Sequence, residues 1–293
     1  MGSNPTAGTN VIYLEDLASV NADILMEERG MTMDPRVTAR AERIDYETIV
    51  NAVDAAGDRF VALLRSLSPE DGAKKVPDMT WTVSETAAHM LNIVNRGLGD
   101  HRRADSVAGL AVLNDKCVAE VDTRAPTEIA ERIETDKTTL LGLLRGQSAE
   151  RAQSVAFPLH AGVRTDIPSA LSYMLFDFVG HGLDIARATG REWSVDASDA
   201  ALILHASLPL LGPWATEAVM SGTPQRAALT FPGDADAIVL EVGGGSYAAQ
   251  NHERAEVSYA VEVDAVEAFL AIAGRAEASS SAAARLASWF IPI

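Results

Sequence analysis

A single cysteine, Cys117, stands in a chain of 293 residues. It excludes an internal disulfide framework and suits a reducing compartment. Basic residues are also scarce: 24 Lys and Arg face 41 Asp and Glu, a net charge of −17. A diffuse charge of that sign disfavours nucleic acid or an anionic membrane as partner. No apolar run approaches the roughly 18 residues of a membrane span. The opening "MGSNPTAGTNVIYLEDLASV" lacks the basic and apolar regions of a secretory signal, so the expected location is the cytoplasm. There is no G-x-S-x-G elbow and no C-x-x-C. The stretch "GDADAIVLEVGGG" places glycines after a strand-like run, but no helix pattern follows to cradle a phosphate. Cys117 has no evident activating neighbour and reads as a small buried thiol.

What is present suits a globular protein. Hydrophobic residues make up 47% and charged residues 22%, and the length allows two ordinary domains or one large one. Residues 1–44 show weak periodicity and read as an N-terminal arm. From Asp45 to about Leu67, the spacing of Ile49, Val53, Phe60, Leu63 and Leu64 predicts an amphipathic helix. Thr82 with Glu85 three places on is a capping box that opens a second helix, running to about Gly99. A third spans about 125–146, opened by Pro126 and closed by Gly146. Residues 151–168 suggest a hairpin. A further helix runs from about Pro168 to Thr189 and ends at Gly190.

Four such helices predict a four-helix bundle over residues 45–195. A fifth helix is expected over 197–220, attached to either side. Beyond "SGTPQ", the segments "RAALTFPG", "DAIVLEVGG" and "AEVSYAVEVD" read as strands, followed by a helix at 264–273. The expected whole is mainly α with an α+β part, the small α+β domain covering 222–293.

The chemistry concentrates in "FDFVGHGLDIARATG". Asp177, His181 and Asp184 are spaced by four and three residues, which puts them within about 60° on one ridge of a helix. Leu171, Met174, Phe178 and Ile185 line one side of that helix, and Leu175, Val179, Leu183 and Ala186 the other. A helix apolar on nearly all sides is buried, so its polar ridge must find partners inside. Internal hydrogen bonds would satisfy it. So would a metal, for which a carboxylate and an imidazole at i, i+4 are half a site. The other half would come from another helix, and His89 in "WTVSETAAHMLNIVNR" is the candidate. It lies with Glu85, Asn92 and Arg96, opposite the stripe of Val83, Ala87, Met90 and Val94. That face is either solvated or lines a cavity within the bundle. His101, His160, His205 and His252 are poorer candidates by position.

The segments "MTWTVSETAAHM" and "FDFVGHGLDIARATGREW" together resemble the DinB-like superfamily, specifically its mycothiol-dependent maleylpyruvate isomerase branch. The resemblance covers about residues 45–293. It implies a DinB-like bundle followed by a small sterol-carrier-like α+β domain. It also implies a divalent metal, usually zinc, held by His89, Asp177 and His181, with Asp177 standing where the family usually has Glu. Asp reaches less far by about 1.5 Å, one C–C bond. Arg275, in "AIAGRAE", matches the arginine that the family's C-terminal domain offers to substrate. Two imidazoles and one carboxylate leave a position open, as in catalytic zinc sites. The implied cosubstrate is mycothiol or a similar thiol, held as its thiolate. It would add to an activated double bond, allow rotation and leave, or stay attached as in an S-transferase. The expected partners are thus a thiol and a small carboxylate-bearing electrophile, with the protein a monomer or homodimer. Two other readings stand beside it: a DinB-fold enzyme of specialised metabolism that needs no thiol, and a non-catalytic small-molecule binding protein.

Overall fold

The computed structural model describes residues 41, 43–257 and 260–292. The arm expected over 1–44 lies outside the described residues, apart from Ala41, Arg43 and Ile44. Four long helices form the bundle: α1 (Tyr46–Arg65), α2 (Val83–Gly97), α4 (Pro126–Arg145) and α5 (Ile167–Thr189), with α3 (Val107–Glu120) packed against α2. Local chemistry fixes their ends. Asp45 caps α1 by accepting from the Thr48 N–H, and Thr82 and Glu85 close a reciprocal capping box at α2. Pro126 occupies the first turn of α4. Asp166 caps α5, which stops at Gly190 in the left-handed conformation.

The bundle is a ring in which α1 touches α5 and α4, and α2 touches the same two. Phe60, Met90, Leu91, Ile129, Ile133, Leu175 and Phe178 fill its centre. Each such side chain contributes about 1.5–3 kcal/mol by leaving water. Helix α5 is buried along most of its length. Its far side is covered by α6 (Ala197–Ser207), which also packs on α7 (Ala265–Ile272) of the C-terminal part. That part is a four-stranded sheet with α7 and α8 (Ser281–Ala287). Its strands are β3 (Gln225–Thr230), β4 (Asp236–Gly243), β5 (Ser246–Glu253) and β6 (Val261–Glu262). Their order is β5-β4-β3-β6, with β6 parallel to β3. The fold is therefore a helical bundle followed by a small α+β part.

Four details differ from the sequence reading. The fifth helix ends at Ser207 rather than 220, and two 3-10 turns and a short helix at Glu217–Ser221 follow. Pro209 and Pro213 withdraw the N–H groups that a continuing helix needs. The hairpin expected at 151–168 begins with a short helix, Ala149–Ser154, and narrows to two-residue strands, β1 (Phe157–Pro158) and β2 (Arg164–Thr165). The third strand expected at "AEVSYAVEVD" is reduced to Val261–Glu262, with Ser258 and Tyr259 outside the described residues. The antiparallel partner of β4 is instead the more polar segment 246–253, reached through Gly243, Gly244 and Gly245, all at positive φ. Finally, α3 carries no apolar periodicity in the sequence, because only Cys117 and Val118 on it are buried.

Candidate metal centre

Helices α2 and α5 meet at two histidines. The His89 and His181 rings stand edge to face with centroids 5.1 Å apart, and the Trp81 ring lies 5.0 Å from His89 on its other flank. Trp81 is itself held by its indole N–H, which donates to Asp115 of α3 at 2.8 Å. The polar face of α2 therefore points inward: His89 is 4% exposed, Asn92 6% and Arg96 7%.

One ligand atom from each of His89, Asp177 and His181 lies within 4.8 Å of the others. His181 Nε2 and Asp177 Oδ1 are 3.9 Å apart. An ion bound at 2.0–2.2 Å to each requires separations of about 3–3.5 Å, so modest side-chain adjustments close the set. The polar atoms fit such an ion. His89 Nδ1 is buried without a hydrogen-bond partner. Burial, reinforced by the charges of His181, Arg96 and His160, holds the His89 imidazole well below its ordinary pKa, neutral and with a lone pair to give. Burial also pushes the Asp177 carboxyl up, against the opposing pull of His181, Arg96 and Arg275. A half-buried carboxylate with no hydrogen-bond donor among the described residues is one that a cation would stabilise.

His181 is oriented from behind. Its Nδ1–H donates to Asp184 Oδ2 at 3.0 Å, which leaves Nε2 as the free nitrogen on the side of Asp177. Asp184 in turn accepts from Arg275 twice, from Nε at 3.0 Å and from Nη2 at 2.7 Å. Burial raises the Asp184 carboxyl, but the hydrogen bonds from His181 and Arg275 outweigh it, and its pKa falls below the ordinary value. The glycines of "VGHG" make room for this packing. A Cβ on Gly180 would sit 3.2 Å from the Arg275 guanidinium carbon, and one on Gly182 would sit 2.1 Å from the Trp193 ring.

His89, Asp177 and His181 are thus brought together. Arg275 is also close: its guanidinium is tied to Asp184 and donates to the Ala273 carbonyl at 3.0 Å. Of the other histidines, His205 is satisfied on both ring nitrogens by Asn251 and Asp234, each at 2.9 Å. His160 accepts from the Ala104 N–H at 3.0 Å. Cys117 is a buried free thiol. Asn114 and Asp115, which hold Arg96 and Trp81, come from a helix that the sequence pattern does not reveal.

No helix among the described residues is long and apolar enough to cross a membrane. No curated protein and no solved structure matches the chain. Residues 53–186, which include all three converging side chains and Asp184, match the family model described as the mycothiol maleylpyruvate isomerase N-terminal domain. Over these residues the helical bundle is similar to that domain, in keeping with the DinB-like, mycothiol-dependent isomerase family.

Proposed function

We propose that this protein is a divalent-metal-dependent enzyme that activates a low-molecular-weight thiol, such as mycothiol, for reaction with a small electrophile bearing a carboxylate. The observation that carries this reading is the convergence of His89, Asp177 and His181 within a bundle of this family. Zinc, or another divalent cation held there, would lower the pKa of a thiol beside it and keep the nucleophilic thiolate at neutral pH.

The chain's own groups do the rest. Burial keeps His89 neutral and therefore able to donate its lone pair. Asp184 fixes the His181 ring and its tautomer, and Arg275 balances the Asp184 charge, so the Asp184 carboxylate is not left unpaired. Two imidazoles and one carboxylate leave room for a further ligand, as a catalytic rather than structural site requires. Trp81 packs against the His89 ring, the two planes tilted by 37°, and helps to fix it. Addition of the thiolate to an activated double bond, rotation, and expulsion of the thiolate would give cis–trans isomerisation. Retention of the new C–S bond would give an S-conjugate. The reading places this chemistry in the cytoplasm, where thiol cosubstrates stay reduced.

The experiment is to remove metal with a chelator, restore zinc, and follow maleylpyruvate consumption with and without mycothiol. Turnover that needs both supports the reading. Turnover without thiol would favour a thiol-independent enzyme on the same bundle.

A further inference from the structure

Buried polar atoms without partners continue beyond the three converging side chains. Arg96 Nε, Asn92 Nδ2 and the Tyr173 hydroxyl are all shielded from solvent and make no hydrogen bond among the described residues. Asn92 and Arg96 follow His89 at i+3 and i+7, on one face of α2. Tyr173 precedes Asp177 by one turn of α5. Because helical side chains lean toward the N-terminus, Arg96 leans back toward the turn that carries His89. Its charge is felt at both His89 and Asp177, so it stands in the neighbourhood of both.

The state of the Arg96 guanidinium is the telling feature. It is 7% exposed, and its one hydrogen bond among the described residues runs from Nη2 to the neutral Asn114 Oδ1 at 2.8 Å. Asp100, the other carboxylate whose field it feels, is engaged through both oxygens by Arg102. The neighbouring Arg103 likewise donates to backbone carbonyls, those of Pro158, Asp100 and Arg102. Among the described residues of a chain of net charge −17, this buried arginine thus makes no ion pair with a carboxylate. Burying an unpaired cation is costly, and the arrangement makes sense if the counter-charge arrives with a ligand.

We propose that Arg96, assisted by Asn92, is the anchor for a carboxylate of the small-molecule substrate, positioning the reacting carbon over the His89–Asp177–His181 centre. This rests on the proposed function for the identity of that centre. It places an anchor on α2 of the bundle, while the Arg275 guanidinium holds Asp184. Asn92 Nδ2 lies one turn nearer His89 and offers a second donor to the same anion. Guanidinium recognises a carboxylate in the plane through two N–H groups, so lysine is not an equivalent replacement.

The test is calorimetric titration of the full chain with maleate, a small cis-dicarboxylate, in chelated and zinc-loaded forms. Neutral maleamide is the control, and metal content is read in parallel by elemental analysis. Maleate is expected to bind where maleamide does not. Arg96→Gln should weaken maleate by at least about tenfold in both forms, and Arg96→Lys by a smaller factor, with zinc content unchanged. Maleate binding to Arg96→Gln within about twofold of the parent protein would overturn the inference. So would maleamide binding as tightly as maleate, or no binding of maleate to the parent protein. Should Arg96→Gln fail to fold, Arg96→Lys decides: weakened maleate binding supports the anchor and parental affinity overturns it. A parent protein that binds maleate through Arg96 but takes up no zinc would sink the metal reading and leave the anchor standing.

Discussion

Arg275 and Asp184, 91 residues apart in the chain, are joined by two hydrogen bonds that link the C-terminal α+β part to the helix carrying His181. The same Asp184 oxygen that takes the 2.7 Å bond from Arg275 Nη2 takes the 3.0 Å bond from His181 Nδ1. The C-terminal part therefore steadies the His181 ring through Asp184, one step removed from the candidate ligand set of His89, Asp177 and His181. Arg275→Ala should lower divalent-metal affinity by about 10–100-fold. It should also destabilise the fold, by about 3–5 kcal/mol if the buried Asp184 charge is left bare. Adding Asp184→Asn should recover stability but not metal affinity. Competition with a chromogenic chelator and denaturant melts check both, and unchanged values in Arg275→Ala would make the contact incidental.

His160 is expected to report on the protein's response to acid. Its pKa is lowered to about 4, first by burial and then by the charges of Arg96 and Arg103. Its Nδ1 is also an acceptor for the Ala104 N–H, so protonation breaks a hydrogen bond. The sign follows from linkage: an unfolded His takes up a proton near pH 6.5, whereas the folded one resists until about 4. This stabilisation is full above about pH 6.5 and is lost as pH falls toward 4, by at most about 1.4 kcal/mol per pH unit for one proton. His160→Asn keeps an acceptor and removes the proton site. Denaturant melts across this range should show a shallower acid loss in the variant, and identical slopes would refute the assignment.

Gly182 is a position where the helix accepts no side chain. The Trp193 ring occupies the space, pinned by its N–H to the Val179 carbonyl at 3.1 Å and flanked by the Arg59 guanidinium 5.5 Å from the ring centroid. Gly182→Ala gains helix propensity, by up to about 1 kcal/mol, but must displace the indole. Overpacking of this kind costs about 1–3 kcal/mol. The net expectation is a less stable protein with altered Trp fluorescence, measured by chemical denaturation; a more stable variant would show that the indole yields freely.

The four bundle helices could be read in the sequence because their ends carry explicit chemistry: Thr82 with Glu85, Pro126, and Gly190 after an apolar helix. Helix α3 could not, since it covers α2 with only Cys117 and Val118 buried and has no stripe to betray it. Strand β5 was hidden by its polar sequence, and its triple-glycine turn resembles a loop until the strands on either side are paired. The α5 ridge was legible because polar groups on a helix buried all round must have partners. His89 was ambiguous, because it lies opposite the apolar stripe of its own helix, and only the placement of α5 makes that face interior. That Arg96 makes no ion pair with a carboxylate among the described residues is likewise a property of the packed bundle, with no trace in local sequence.

The most direct test is metal stoichiometry. Purified protein would be stripped with a chelator, equilibrated with zinc, separated from free ion and measured by elemental analysis, alongside His89→Ala and His181→Ala. Both variants should keep their helical circular dichroism, because the apolar core of the bundle does not depend on the imidazoles. About one zinc per chain is expected for the parent protein and little or none for either variant. Parent protein that retains no divalent metal, or folded variants that retain as much as the parent, would contradict a metal centre at His89, Asp177 and His181.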